Sequence, residues 1–207
     1  MSIVSTKKRK PLAITVFASL AIGALALTGC TSNNQQSAAP SVSQAESDAF
    51  LSANNLAGLD ARQMIDKLDS LPVAERPSNL MASVRPDQLI LIDEKKQQIS
   101  LPIPEEQFYL SFAPFKTQTH ECHFHSLTTC LGEMQNEEVK VTVTDAKTGE
   151  KIVDKTVKTF DNGFVGVWLP RGIEATLNVE QGELSATSKI STATSEDATC
   201  LTTMQLS

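Results

Sequence analysis

All three histidines of the 207-residue chain, His120, His123 and His125, fall within six residues of one another. Cys122 sits between them in His120-Glu-Cys-His-Phe-His125, and Cys130 follows after seven intervening residues. Imidazole is the commonest protein ligand for transition metals, and thiolate is the preferred donor for soft ions such as Cu(I). A lone histidine is ordinarily a satisfied surface or core residue; three interleaved with a cysteine point to metal. Cys200 lies 70 residues beyond Cys130 in Thr199-Cys-Leu-Thr-Thr-Met-Gln-Leu206, a strand-like run. It must reach the cluster from a neighbouring strand or loop. Met204 shares a strand face with Cys200 but lies about 13 Å further along at ~3.3 Å per residue, too far to join the same ion. Met64 and Met81 carry the helical spacing of core filler rather than of thioether ligands.

Geometry limits which of these groups act together. If the segment 120–125 is extended, His120 and Cys122 point one way and His123 and His125 the other. Either the chain bends there, or only some of the histidines join the site, while Ser126 to Thr129 is long enough for Cys130 to fold back. Zinc is the competing ion, because three cysteines and one histidine form one of its usual tetrahedral sets. The sequence has no C-x₂-C pair, and the same donors hold Cu(I) in low coordination, which favours copper. Imidazoles also admit Cu(II).

The N-terminus sets the compartment. Lys7-Lys8-Arg9-Lys10 is followed by an apolar run, Leu12 to Leu27, too short to span a membrane comfortably and ending in Leu27-Thr-Gly-Cys30. A charged region followed by such a run reads as a secretory signal. Its end resembles a bacterial lipobox, which implies cleavage before Cys30 and lipidation of that residue. The mature chain is then exported, lipid-anchored on the outer side of the cytoplasmic membrane or held in the periplasm. If Cys30 is acylated, Cys122, Cys130 and Cys200 remain, and an odd number of exported cysteines leaves at least one thiol to explain. One disulfide with one inert thiol is the bland alternative.

The leader carries four of the 18 cations and none of the 24 acids, so the chain from Cys30 has a net charge of −10. That excludes nucleic acid as a partner and leaves the lipid anchor as the only membrane contact. No internal repeat, C-x-x-C or Gly-x-Ser-x-Gly elbow is present. These absences argue against a general disulfide-exchange enzyme and against a hydrolase.

The elements that must position the site divide as follows. Residues 1–29 are a signal peptide and 30–45 a flexible tether rich in Ser, Asn, Gln and Ala. Residues 46–104 form a small helical and hairpin domain, and 105–207 a β-rich metal-binding domain. The fold class is α+β, with the second part a mainly antiparallel, sandwich-like arrangement. Gln44 to about Pro86 reads as helical, with Asp60-Ala-Arg-Gln63 a capping box and Met64, Ile65, Leu68 and Leu71 an apolar stripe stopped by Pro72. Gln88–Ile92 and Gln97–Ile103 read as a hairpin about Asp93 to Lys96. Val139, Val141 and Val143 alternate with polar residues as in a half-buried strand, and Thr148-Gly149 and Asn162-Gly163 are turn signals.

Cys122-His-Phe-His-Ser-Leu-Thr-Thr-Cys130-Leu-Gly-Glu133, together with Asp60-Ala-Arg-Gln-Met-Ile-Asp-Lys-Leu-Asp69, Ser83-Val-Arg-Pro-Asp87 and the late Cys200, strongly resembles the CueP family of envelope copper-binding proteins. The resemblance runs from about Leu56 to the C-terminus. It implies that Cys122, Cys130 and Cys200 are thiol ligands assisted by nearby histidines. It also implies a two-domain dimer that buffers envelope copper and hands it to a client such as a superoxide dismutase. Conversion of Cu(II) to Cu(I) is associated with the family, so a cupric reductase or thiol oxidoreductase stands as the alternative function, and a zinc-binding or purely structural lipoprotein module as the third.

Overall fold

Two short helices open the described part of the chain, each started by a reciprocal cap. A computed structural model describes residues Ser43–Ser207, which belong to one compact unit. The signal peptide, Cys30 and most of the tether lie outside the described residues. Helix α1 (Gln44–Ala53) begins where the Ser43 hydroxyl accepts from the Glu46 N–H and the Glu46 carboxylate accepts from Ser43 N. Helix α2 (Ala61–Asp69) begins with the expected box: Asp60 accepts from Gln63 N at 2.8 Å, and the Gln63 side chain accepts from Asp60 N at 3.0 Å. These contacts satisfy first-turn N–H groups that no helical carbonyl can reach. Met64, Ile65 and Leu68 are buried, as the stripe requires, and the chain passes through a single 3-10 turn at Val73–Glu75. No helix among the described residues is long and apolar enough to cross a membrane.

The helical reading of Gln44 to Pro86 fails at its end. Leu80–Val84 is a strand, β1, antiparallel to β2 (Gln88–Asp93). Its residues alternate between buried (Leu80, Ala82, Val84) and more exposed, a period of two that five residues barely register. Strand β3 (Gln98–Pro102) completes the expected hairpin with β2, turning at Lys96, whose φ is 64°. This three-stranded sheet and both helices share one apolar core that includes Phe50, Met64, Ile65, Leu89 and Leu91.

Two further sheets make the sandwich. One has the order β10-β4-β7, formed by Cys200–Gln205, Gln107–Phe115 and Val165–Pro170. The other has the order β6-β5-β8-β9, formed by Lys151–Lys158, Glu138–Asp145, Glu174–Gln181 and Leu184–Ser191. Phe108, Phe112, Val141, Val167, Leu177 and Met204 fill the space between them. The valine alternation in β5 is as expected: Val139, Val141 and Val143 are all buried. Pairing is antiparallel except for β10, which runs parallel to β4. Strand β4 is covered on both faces, so its odd and even residues serve different cores. Phe108, Leu110 and Phe112 face the sandwich, whereas Tyr109 packs into the helical core.

Candidate metal centre

The segment between β4 and β5 is irregular from Thr119 to Phe124; one set of contacts closes it on itself and two ties hold it against β10. The Glu133 carboxylate accepts from Lys116 N at 2.6 Å, from Thr117 N at 3.0 Å and from the Thr117 hydroxyl, which pulls its pKa down to about 2. The Thr119 hydroxyl donates to the Thr202 carbonyl at 2.7 Å. The Cys200 N–H donates to the His123 carbonyl at 3.0 Å, which lays the segment along the start of β10. Thr199, fully buried, accepts from His125 N at 3.0 Å and donates to the Val84 carbonyl at 2.7 Å. Two backbone bonds, Val84 N to the His125 carbonyl and Leu127 N to the Ala82 carbonyl, then stitch the segment to β1.

The chain bends, and the bend brings Cys122 and His125 to one point. The sulfurs of Cys122, Cys130 and Cys200 and one ring nitrogen of His125 all lie within 4.8 Å of one another. Cys122 and Cys200 are joined as a disulfide, with Cα atoms 5.6 Å apart, and Cys130 is the free thiol among the described residues. Cys130 Sγ lies 3.6 Å from Cys122 Sγ. Its backbone is held by the Arg76 guanidinium, which donates to the Cys130 carbonyl at 2.8 Å, and by Gly132 N, which donates to the Asn162 carbonyl at 2.6 Å. Gly132 and Gly163 cross backbone to backbone: a Cβ on Gly163 would lie 2.6 Å from the Gly132 carbonyl atoms, and Gly163 has φ 79°.

His120 and His123 stand outside this cluster. His123 is exposed, its Nε2 lies 3.0 Å from the Glu196 carbonyl, and its ring packs edge-on to Phe124. His120 is also exposed. It borders Cys122 in a groove of about 280 Å³ lined by Thr119, Glu121, Thr202 and Thr203.

His125 is the buried member, and the groups around it are ones the sequence reading did not single out. Its Nε2 lies 2.9 Å from Asp69 Oδ1, and both side chains are wholly inaccessible to solvent. Asp69 also accepts from Tyr109 Oη at 2.6 Å, Ser111 Oγ at 3.1 Å and Asn162 Nδ2 at 2.9 Å. A signal existed for Asp69. Residues 61, 64, 65 and 68 trace the buried face of α2, and 69 is the next position on it, so a carboxylate stands where an apolar residue belongs.

Burial would depress the His125 pKa, but the charge and hydrogen bond of Asp69, with a smaller contribution from the Cys130 thiol, raise it to about 9. Burial likewise pushes Asp69 up, and the His125 charge with the bonds from His125, Tyr109 and Asn162 overcomes it, so the carboxylate stays ionised. For Cys130, burial opposes ionisation, yet the neighbouring His125 ring and its charge hold the thiol below its ordinary value. Cys130 is therefore primed for the thiolate form that a soft metal takes.

The donor set fits a metal on the structure's own terms. His125 Nδ1 is buried without a hydrogen-bond partner. Four ligands about 2.3 Å from one ion stand roughly 4 Å apart, close to the spacing of these atoms. With Cys122 and Cys200 joined, two of the sulfurs are engaged with each other, so a three-sulfur site requires their reduction by two electrons.

No curated protein matches the chain. A family model described as periplasmic copper-binding protein CueP matches residues 63–205. Among solved structures, the chain is similar to a crystal structure described as S.CueP, with 40% sequence identity and a TM-score of 0.73, over 81% of this chain and 99% of that one. The matched span takes in Asp69, the whole 120–130 segment and Cys200. The chain belongs to the CueP family of periplasmic copper-binding proteins.

Proposed function

We propose that the chain sequesters copper as Cu(I) on Cys122, Cys130, Cys200 and His125, and delivers it to client enzymes of the envelope such as a superoxide dismutase. The observation that carries this reading is the convergence of three sulfurs and one buried imidazole nitrogen from separate stretches of chain. Thiolate-rich, low-coordinate sites favour Cu(I) over harder ions, which ranks copper above zinc here. His120 and His123 serve as outer ligands during entry or exchange, His120 from the groove beside Cys122. Residues 46–104 act as the part that supplies Asp69, and 105–207 as the part that carries the sulfurs. Lipidation at Cys30 and self-association as a homodimer complete the reading; membrane partition of a Cys30→Ser variant and sedimentation of the purified protein check them.

Anaerobic titration of reduced protein with Cu(I) against a competing chelator tests the central claim. Tight binding is expected in the unaltered protein and its loss in a Cys122→Ser/Cys130→Ser double variant. Equal affinity in the two, or a preference for Zn(II), overturns it.

A second reading has its own observation. The Cys122–Cys200 disulfide sits beside the free Cys130 sulfur, so two thiols can give up electrons while the third still holds an ion. In that reading two Cu(II) ions take one electron each, Cys122 and Cys200 form the S–S bond, and two protons leave. Loss of two thiols for every two Cu(I) ions formed supports reduction, and turnover sustained by an added reductant makes it catalysis.

A further inference from the structure

The Asp69 carboxylate is surrounded by donors, and one of them, the Asn162 amide, has its orientation fixed. The Asn162 amide oxygen accepts from Phe164 N at 2.8 Å, so the Asn162 NH₂ is the end that faces Asp69. That same NH₂ lies 3.1 Å from the Asp69 backbone carbonyl. Tyr109 and Ser111 both place hydroxyls on Oδ2, which leaves Oδ1 to Asn162 and His125. The room for Tyr109 is made by Gly166, where a Cβ would stand 1.9 Å from the Tyr109 oxygen. The Asn162 NH₂ can only donate, so Oδ1 is an acceptor, and the His125 nitrogen that faces the same oxygen carries the proton between them. That nitrogen is Nε2. The ring packs against the buried Phe164, at 4.6 Å between centroids, and Nδ1 has no hydrogen-bond partner.

We propose that Asp69 is a positioning residue of the copper site: it holds the His125 proton on Nε2, so that Nδ1 is the imidazole atom that binds copper. The proposal rests on the copper reading above and adds to it the ligating atom and its orienting group. It also gives the helical part of the chain a role at the metal. Asp69 is the last residue of α2, while Tyr109 and Ser111 come from β4 and Asn162 from the turn before β7. A carboxylate behind a ligating imidazole fixes the ring and raises its basicity, and its loss typically weakens metal binding 10–100-fold.

Two-bond ¹H–¹⁵N correlation spectra of ¹⁵N-histidine-labelled, reduced protein test this before and after one equivalent of Cu(I). The expected result is that His125 Nε2 stays protonated throughout and that Nδ1 is the nitrogen whose resonance moves on loading. A proton on Nδ1 in the loaded protein, or movement of Nε2 instead, overturns the proposal. Asp69→Ala is expected to lose the protected Nε2–H and to bind Cu(I) about 10–100-fold more weakly. Asp69→Asn retains an acceptor oxygen, and the hydroxyls of Tyr109 and Ser111 can turn to accept from its amide, so it is expected to keep the Nε2–H and most of the affinity. An Asp69→Ala protein with unchanged affinity and an unchanged Nε2–H overturns the role. The spectrum of the unaltered protein decides the ligating atom even where Asp69→Ala does not fold. Cu(I) that is retained against the competing chelator while the His125 resonances stay in place defeats this proposal alone; Cu(I) that is not retained defeats the copper reading with it.

Discussion

His125 and His123 are two residues apart and face opposite fates. One is buried against a carboxylate, and the other caps a carbonyl at the surface. His125→Gln keeps a donor for Asp69 but removes the free ring nitrogen, so Cu(I) affinity is expected to fall at least tenfold; His123→Gln is expected to leave it unchanged in the same chelator titration. The histidine cluster was legible as chemistry, but not which member is buried beside the three sulfurs. Alternation in an extended segment groups His123 with His125, and the irregular path from Thr119 to Phe124 undoes that grouping. The His125–Asp69 pair also has a pH signature. A histidine raised from 6.5 to about 9 contributes stability that is complete below pH 6.5 and lost as the pH rises through about 9. Cys130, held low, runs the other way and adds stability toward pH 9. Metal-free Cys130→Ser protein isolates the histidine contribution, because Asp69 remains; its melting temperature is expected to fall between pH 6.5 and 9.5. The further change His125→Gln should flatten that profile.

At the scale of the element, a crossing of two turns places Cys130. Gly132 and Gly163 touch through their backbones, and Gly163 has a left-handed φ. Gly163→Ala therefore combines backbone strain of about 1–2 kcal/mol with a clash of about 1–3 kcal/mol. Urea denaturation is expected to show that loss, accompanied by weaker Cu(I) binding as Cys130 moves. Gly149→Ala shares the positive φ, 73°, but its Cβ meets nothing within 4 Å, so it is expected to cost about 1 kcal/mol and leave copper binding alone. The Asp60–Gln63 capping box, the β2–β3 hairpin and the valines of β5 were readable because each repeats a local physical pattern. Strands β6 and β9 were not singled out, since their residues are largely exposed and carry no clean apolar alternation. The parallel placement of β10 beside β4 has no local signature at all, because it is fixed by packing between residues some 90 positions apart.

For the whole molecule, the link from Cys122 to Cys200 closes a loop of 78 residues. In the chain-entropy view such a link stabilises the fold by roughly 4 kcal/mol. At about 2–4 °C per kcal/mol for a chain of this size, the oxidised protein is expected to melt roughly 8–16 °C above the reduced one. Cu(I) added to the reduced form should restore much of that difference, since an ion that binds only the folded state stabilises it by mass action. The same separations bear on how the chain reaches this state after export. Cys130 is only eight residues from Cys122, against 78 for Cys200. Ring closure in an unfolded chain favours the nearer partner by about 2 kcal/mol, roughly thirtyfold. Oxidant that arrives before the strands have docked therefore forges the short ring and leaves Cys200 stranded. The Cys122–Cys200 link belongs to chains that fold first and meet oxidant second.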